Sequence, residues 1–251
     1  FSGAVLLAGE AAFRIGAGWV TLCIPSGLHP SLIPSFPEAT WLPVSDNPWV
    51  FDRGAAEAIL GSLERVSSML IGPGLGISVE TQAFIDKLIS PELPPMVVDA
   101  DGLKLLSNQK AWWEHLPSES ILTPHPGEMS ILTGLSIHDI QGDRIQVAEK
   151  YAQEWGHVVV LKGAFTVVAD PSGKSAILPI ATPALGRAGT GDVLAGMITG
   201  LLAQGISAFE SASAGVWLHA MAGLLSQDVL GSAAGVLAGD LIRQLPSLLP
   251  Y

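Results

Sequence analysis

One cysteine, Cys23, occurs in the whole chain, so no disulfide can form within it and no zinc site of several thiolates is available. It lies in an apolar, strand-like run, the setting of a packed and inert thiol. Basic residues are also scarce: 12 Lys and Arg stand against 23 Asp and Glu, for a net charge of −11. That balance argues against a nucleic-acid backbone as partner. It leaves phosphorylated ligands open, because backbone N–H groups bind phosphate without surface lysines. An apolar run long enough to span a membrane is missing, so no membrane partner is expected. No secretory leader is visible, which predicts the cytoplasm.

What the chain has in quantity is apolar surface, 49% of residues against 14% charged, enough for a large core. Its 28 glycines and 18 prolines are spread along the chain and punctuate many short elements. Helix-period segments near 4–14, 54–65, 79–89, 101–107, 127–133 and 138–155 alternate with apolar runs at 19–24, 68–71, 96–99, 120–123 and 158–162. Such strands, apolar on both faces, belong in a mostly parallel sheet covered by helices. Residues 166–169 and 175–178, around Asp170-Pro171-Ser172-Gly173-Lys174, predict an antiparallel hairpin. Helices follow near 190–204, 208–228 and 234–243. With no linker, repeat or low-complexity stretch, residues 1–251 are expected to form a single domain.

Open α/β sheets bind ligands beyond the carboxyl ends of their strands. Several unusual loops fall there. Ala188-Gly189-Thr190-Gly191-Asp192 runs into an apolar helix, whose free N–H groups and dipole favour an anion. Asp192 would repel a phosphate, yet it suits a base that takes a proton from an attacking hydroxyl; otherwise it complements the helix dipole. Gly72-Pro73-Gly74-Leu75-Gly76 leaves room for a flat ligand, or is a tight turn; its spacing is not that of the dinucleotide fingerprint. Asp99 and Asp101 either hold water around a metal or, for Asp101, cap a helix. The prolines beside His125 in Thr123-Pro124-His125-Pro126-Gly127-Glu128 fix its backbone. Lys162-Gly163-Ala164-Phe165-Thr166 joins two strands and presents a charge and a hydroxyl, unless the lysine merely snorkels. His219 is expected to be a packed or hydrogen-bonded helix residue, and the Trp112-Trp113 pair to pack or face solvent.

Taken in this order, these motifs resemble the ADP/ATP-dependent NAD(P)H-hydrate dehydratases of the ribokinase-like superfamily, along essentially the whole chain. The likeness begins at Gly3 to Ala12 and Arg14 to Gly18, and closes at Leu237 to Ile242. The Gly-Thr-Gly-Asp turn alone indicates the superfamily; the His-Pro-Gly-Glu loop with Ile-Gly-Pro-Gly-Leu-Gly narrows it. The resemblance implies a three-layer, doubly wound α/β fold. It implies that Ala4, Gly72, Gly74, Gly76, His125 and Asp192 bind the hydrated nicotinamide nucleotide (NADH or NADPH). Lys162, Gly163, Ala164, Phe165, Thr166 and Gly191 would bind ADP or ATP, with the Lys162–Thr166 pattern favouring ADP. Asp192 would be the base, and the N–H groups of Gly189, Thr190 and Gly191 the anion hole. Mg²⁺ and a homotetramer are likewise implied, with no metal ligands identified; packing within a monomer explains the small-residue helices near 208–240 equally well.

Two departures are Ala181, where many relatives have Asn, and Gly186, where they usually have Ala. The family's first strand and a Gly-Ser pair precede Phe1 or are lacking. Rival expectations are a kinase for a thiazole or pyrimidine alcohol, whose family usually has Asn at the place of His125, and a non-catalytic nucleotide-binding module.

Overall fold

A computed structural model describes residues 2–45 and 47–249. In chain order its elements are α1 (Ser2–Arg14), β1 (Thr21–Pro25), α2 (His29–Leu32), β2 (Thr40–Val44), α3 (Arg53–Leu60), β3 (Met69–Ile71), α4 (Val79–Leu88), β4 (Met96–Val98) and α5 (Asp101–Leu106). They continue with β5 (Ile121–Leu122), α6 (Pro126–Thr133), α7 (Ile137–Gly142), α8 (Arg144–Trp155), β6 (Val158–Leu161), β7 (Val167–Ala169), β8 (Ser175–Ile177), α9 (Thr190–Ala203), α10 (Ala208–Leu230) and α11 (Ala238–Leu248).

Strands β3 to β8 form one sheet in chain order, parallel through β6 and antiparallel for β7 and β8. Because side chains alternate along a strand, each strand feeds two cores. Val98, Leu122, Val159 and Leu161 enter one, with Phe84, Leu105, Met129 and Trp155 from the crossover helices. Val97, Ile121, Val158 and Val160 enter the other, with Leu194 and Ile198 of α9 and Ala212 and Val216 of α10. Helices thus cover both faces of a mostly parallel sheet, as the apolar strands predict. Right-handed crossovers between neighbours in chain order put α4, α5 and α8 on one face. Helices α1 and α9 meet through small residues: a side chain on Gly196 would strike the Ala8 carbonyl, and one on Gly200 that of Ala12.

The structure departs from the sequence pattern at three places. Thr40–Val44 forms a strand parallel to β1 despite Pro43; proline is tolerated there because β2 lies at the edge of a two-stranded sheet. The single helix expected over 138–155 breaks at Asp143, whose carboxylate accepts the Gln146 N–H at 3.1 Å and starts α8 afresh. The last helix begins later than expected, at Ala238, after a short 3₁₀ turn at Ala233–Gly235. The predicted hairpin is present, Trp112 packs against Trp113 and Trp155, and burial pushes the Cys23 thiol up to about 11. None of the helices among the described residues is long and apolar enough to cross a membrane.

Candidate active site at the strand ends

Backbone pairing continues past the strands and draws their exit loops together. The Asp99 N–H donates to the Ile71 carbonyl at 3.1 Å, Thr123 N–H to Val98 at 3.1 Å, and Lys162 N–H to Pro124 at 2.9 Å. The loops after β3, β4, β5 and β6 therefore share one rim. Gly72 is required there: its φ is +119°, and a Cβ would lie 1.8 Å from the Asp99 carbonyl oxygen. Ala100 adopts φ +52°, a conformation non-glycine residues rarely hold, between the two aspartates of this rim.

Lys162 is the centre of the site. Its Nζ lies 2.5 Å from Asp99 Oδ1 and 3.9 Å from Glu128 Oε2, with the lysine side chain 18% exposed and the carboxylates 2% and 4%. It does not snorkel to solvent. Burial alone would lower its pKa, but Asp99, Glu128 and Asp192 outweigh that and move it up, so the ammonium stays charged. Burial likewise opposes ionisation of Glu128, and His125 and Lys162 reverse the balance, leaving its pKa below the ordinary value. Asp192 goes the other way. Burial, reinforced by the Asp99 charge and only partly offset by Lys162, raises it from 3.8 to about 6. One ammonium cannot neutralise three carboxylates, and Asp192 bears the excess.

One expectation for Asp101 changes. It does not cap α5, whose N-cap is Ala100 with no side-chain bond. It accepts the Gly76 N–H at 3.0 Å and Lys104 Nζ at 3.0 Å, tying the glycine loop to α5. Asp99 is held by Lys162. No three His, Cys, Asp or Glu side chains are arranged to hold a metal among the described residues.

His125 is the N-cap of α6. Its Nδ1 accepts from Gly127 N–H at 3.0 Å and Glu128 N–H at 3.3 Å, while Glu128 Oε2 accepts the His125 N–H at 2.9 Å. An accepting Nδ1 places the ring proton on Nε2, 3.2 Å from Glu128 Oε1. The exposed imidazole is thus braced by a buried carboxylate that also faces Lys162. Gly163, Ala164 and Phe165 are exposed beside it, and the Thr166 hydroxyl closes the loop by donating to the Gly163 carbonyl at 2.9 Å. Arg144, which no motif marks, supports this loop from below, with Nη2 donating to the Leu161 carbonyl at 2.8 Å.

Facing these loops is the start of α9. Gly189 holds φ +89° against Leu7 of α1, one turn from the buried Ala4. A Cβ on Gly191 would sit 3.7 Å from Lys162 Nζ and 4.0 Å from Asp99 Oδ2, so the turn abuts the ion pair. The expected anion hole needs one correction. The Thr190 N–H is taken by the Arg187 carbonyl at 3.2 Å, which leaves Gly189, Gly191 and Asp192 as the residues of this turn whose N–H groups have no partner among the described residues. The Thr190 hydroxyl is also occupied, 2.7 Å from the Leu185 and Arg187 carbonyls.

Unpartnered amides, a raised carboxyl and a buried lysine thus meet at the strand ends, the groups that an anion site with a base beside it would need. A family model described as NAD(P)H-hydrate dehydratase matches residues 1–247. The chain belongs to this family. The bifunctional NAD(P)H-hydrate repair enzyme Nnr of Moorella thermoacetica is 39% identical over 99% of this chain and 47% of that relative. The ADP-dependent (S)-NAD(P)H-hydrate dehydratase of Neisseria meningitidis is 35% identical over 96% of the chain and 78% of that protein. The Bacillus subtilis ADP/ATP-dependent NAD(P)H-hydrate dehydratase, co-crystallised with ATP and Mg²⁺, superposes with a TM-score of 0.81 at 31% identity, covering 98% of this chain and 84% of that one. The chain spans about half the length of the bifunctional relatives it matches.

Proposed function

We propose that this chain dehydrates the S epimer of hydrated NADH and NADPH, converting ADP to AMP and phosphate, with ATP as the alternative donor. The observation that carries the assignment is Asp192, raised to about 6 beside unpartnered amides and the Lys162–Asp99 pair. A carboxylate with that pKa is ionised at neutral pH yet basic enough to accept a proton in the transition state.

Hydroxide is a poor leaving group, so the ring hydroxyl must first be esterified. Asp192 takes its proton as the oxygen attacks the terminal phosphorus of the nucleotide, and AMP departs. The N–H groups of Gly189, Gly191 and Asp192 bind the transferring phosphoryl oxygens. The ring nitrogen's lone pair then expels phosphate to leave an iminium, and loss of a proton from the adjacent ring carbon to water restores the double bond. In this scheme Ala4, Gly72, Gly74, Gly76 and His125 hold the hydrated nucleotide. The 162–166 loop and Gly191 hold the adenine nucleotide, with Lys162 facing its phosphates. Mg²⁺ would be carried on those phosphates, as is usual for this ion, because no three His, Cys, Asp or Glu side chains among the described residues form a cage for it. We treat residues 1–251 as one ribokinase-like domain in a cytoplasmic homotetramer, an assembly suited to the exposed Trp217, Val229, Leu230 and Leu237.

The test is incubation with hydrated NADH and ADP. Return of the dihydronicotinamide absorbance with matching AMP and phosphate supports the assignment. Nucleotide binding without turnover, or phosphorylation of a thiazole or pyrimidine alcohol without dehydration, overturns it.

A further inference from the structure

His219 lies in the middle of α10, far from every motif loop in sequence, and is buried. Its Nε2 is 2.8 Å from the carbonyl oxygen of Thr190. A carbonyl only accepts, so Nε2 carries the proton and donates. Burial pushes the ring's pKa down to about 4, which keeps it uncharged at neutral pH. A neutral imidazole inside a helix rich in Ala and Gly costs desolvation that a leucine would not.

The bond it makes has a specific consequence. The Thr190 carbonyl and the Gly191 N–H belong to one peptide plane, and in a trans peptide they point in opposite directions. Anchoring the carbonyl on α10 turns the Gly191 N–H away from α10, on the residue that abuts Lys162 and Asp99. The other polar groups of Thr190 are also fixed: its N–H by Arg187, its hydroxyl between Leu185 and Arg187. Thr190 spends all its hydrogen bonds on scaffold, and Gly191 keeps its donor free.

We propose that His219 is a positioning residue that, through the Thr190–Gly191 peptide, aims and polarises the Gly191 N–H at the transferring phosphoryl group. It touches no substrate. The inference rests on the anion-hole assignment above, and its test separates the two.

Glutamine can present an amide N–H near the place of Nε2, leucine fills the space without a donor, and asparagine is too short to reach. His219→Leu and His219→Asn are expected to lower kcat by about 10- to 100-fold, less than outright loss of an oxyanion donor. The KM for hydrated NADH stays within about twofold, and His219→Gln recovers kcat to within about threefold of wild type. In ¹⁵N-labelled protein the Gly191 amide resonance moves in the Leu and Asn variants and stays near its native position in His219→Gln. A merely structural role predicts loss of thermal stability with kcat unchanged in the folded fraction, and that result overturns the proposal. So does a His219→Gln variant that is stable yet as slow as His219→Asn. Should His219→Leu fail to fold, the Gln and Asn pair still decides. Should wild type lack dehydratase activity, the functional assignment falls, and the Gly191 resonance alone judges the role of His219: an unmoved resonance in a folded His219→Asn refutes it.

Discussion

Asp192→Asn separates chemistry from stability more sharply than any other substitution. The carboxyl is raised from 3.8 to about 6 because burial and Asp99 disfavour its charge. A rise of about two pH units corresponds to roughly 3 kcal/mol of folding free energy lost at neutral pH. The sign follows from proton counting. Below the unfolded value both states hold the proton and there is no penalty. Between the two values the folded state holds more protons, so stability falls as pH rises, and above about 6 the full penalty is present. Asparagine carries no charge at any pH. Because Asp192 is only partly buried, we expect Asp192→Asn to be more stable than wild type by about 1–3 kcal/mol at pH 8, a gain of about 2–10 °C in Tm. The advantage should shrink toward about pH 4.5, where wild-type Asp192 is protonated in the native state. Single-turnover repair of hydrated NADH should meanwhile fall about 10²- to 10⁴-fold. Wild-type kcat/KM should rise with pH through about 6 as the base ionises. Thermal melts at both pH values, run beside turnover, test the whole chain of reasoning. A variant less stable than wild type at pH 8, or a Tm difference flat with pH, refutes the electrostatic account. Near-native turnover removes Asp192 from the mechanism.

Lys162→Met strands Asp99 and Glu128 without a counter-charge and should cost about 3–5 kcal/mol in urea unfolding; a loss under about 1 kcal/mol would show that the ion pair is not neutralising them. Adding Asp99→Asn should recover part of that loss. Gly72→Ala places a methyl group against the Asp99 carbonyl at positive φ and should destabilise by at least about 3 kcal/mol; a native melting curve would mean that the loops after β3 and β4 are not in contact. His125→Ala loses the cap of α6, worth about 1 kcal/mol, and should raise the KM for hydrated NADH more than it lowers kcat. His125→Asn should restore the stability but not the KM, and a collapse of kcat at unchanged KM would move His125 into the transition state.

Much of the architecture was legible in the residues because its causes are local. Val158 to Leu161 is apolar at every position, which only a strand covered on both faces tolerates. Gly72 and the Gly189-Thr190-Gly191-Asp192 turn announced themselves because close backbone approach and helix N-termini need those residue types within a few positions. Other elements were not marked locally: Thr40–Val44 carries Pro43 and pairs only with β1, and Asp143 broke a helix whose apolar period runs on. What the sequence could not contain is who neutralises whom. Lys162 and Asp99 stand 63 residues apart, and nothing in either motif says that one ammonium serves three carboxylates. His219 and Thr190 are 29 residues apart, and only the packing of α10 on α9 makes them donor and acceptor. The sequence by itself determined the strand period, the turn chemistry and the placing of Asp192, the proposed base, in the first turn of α9. Tertiary structure decided the ionisation of that base and which amides stay free, since desolvation and charge pairing depend on distances through space that no spacing along the chain encodes.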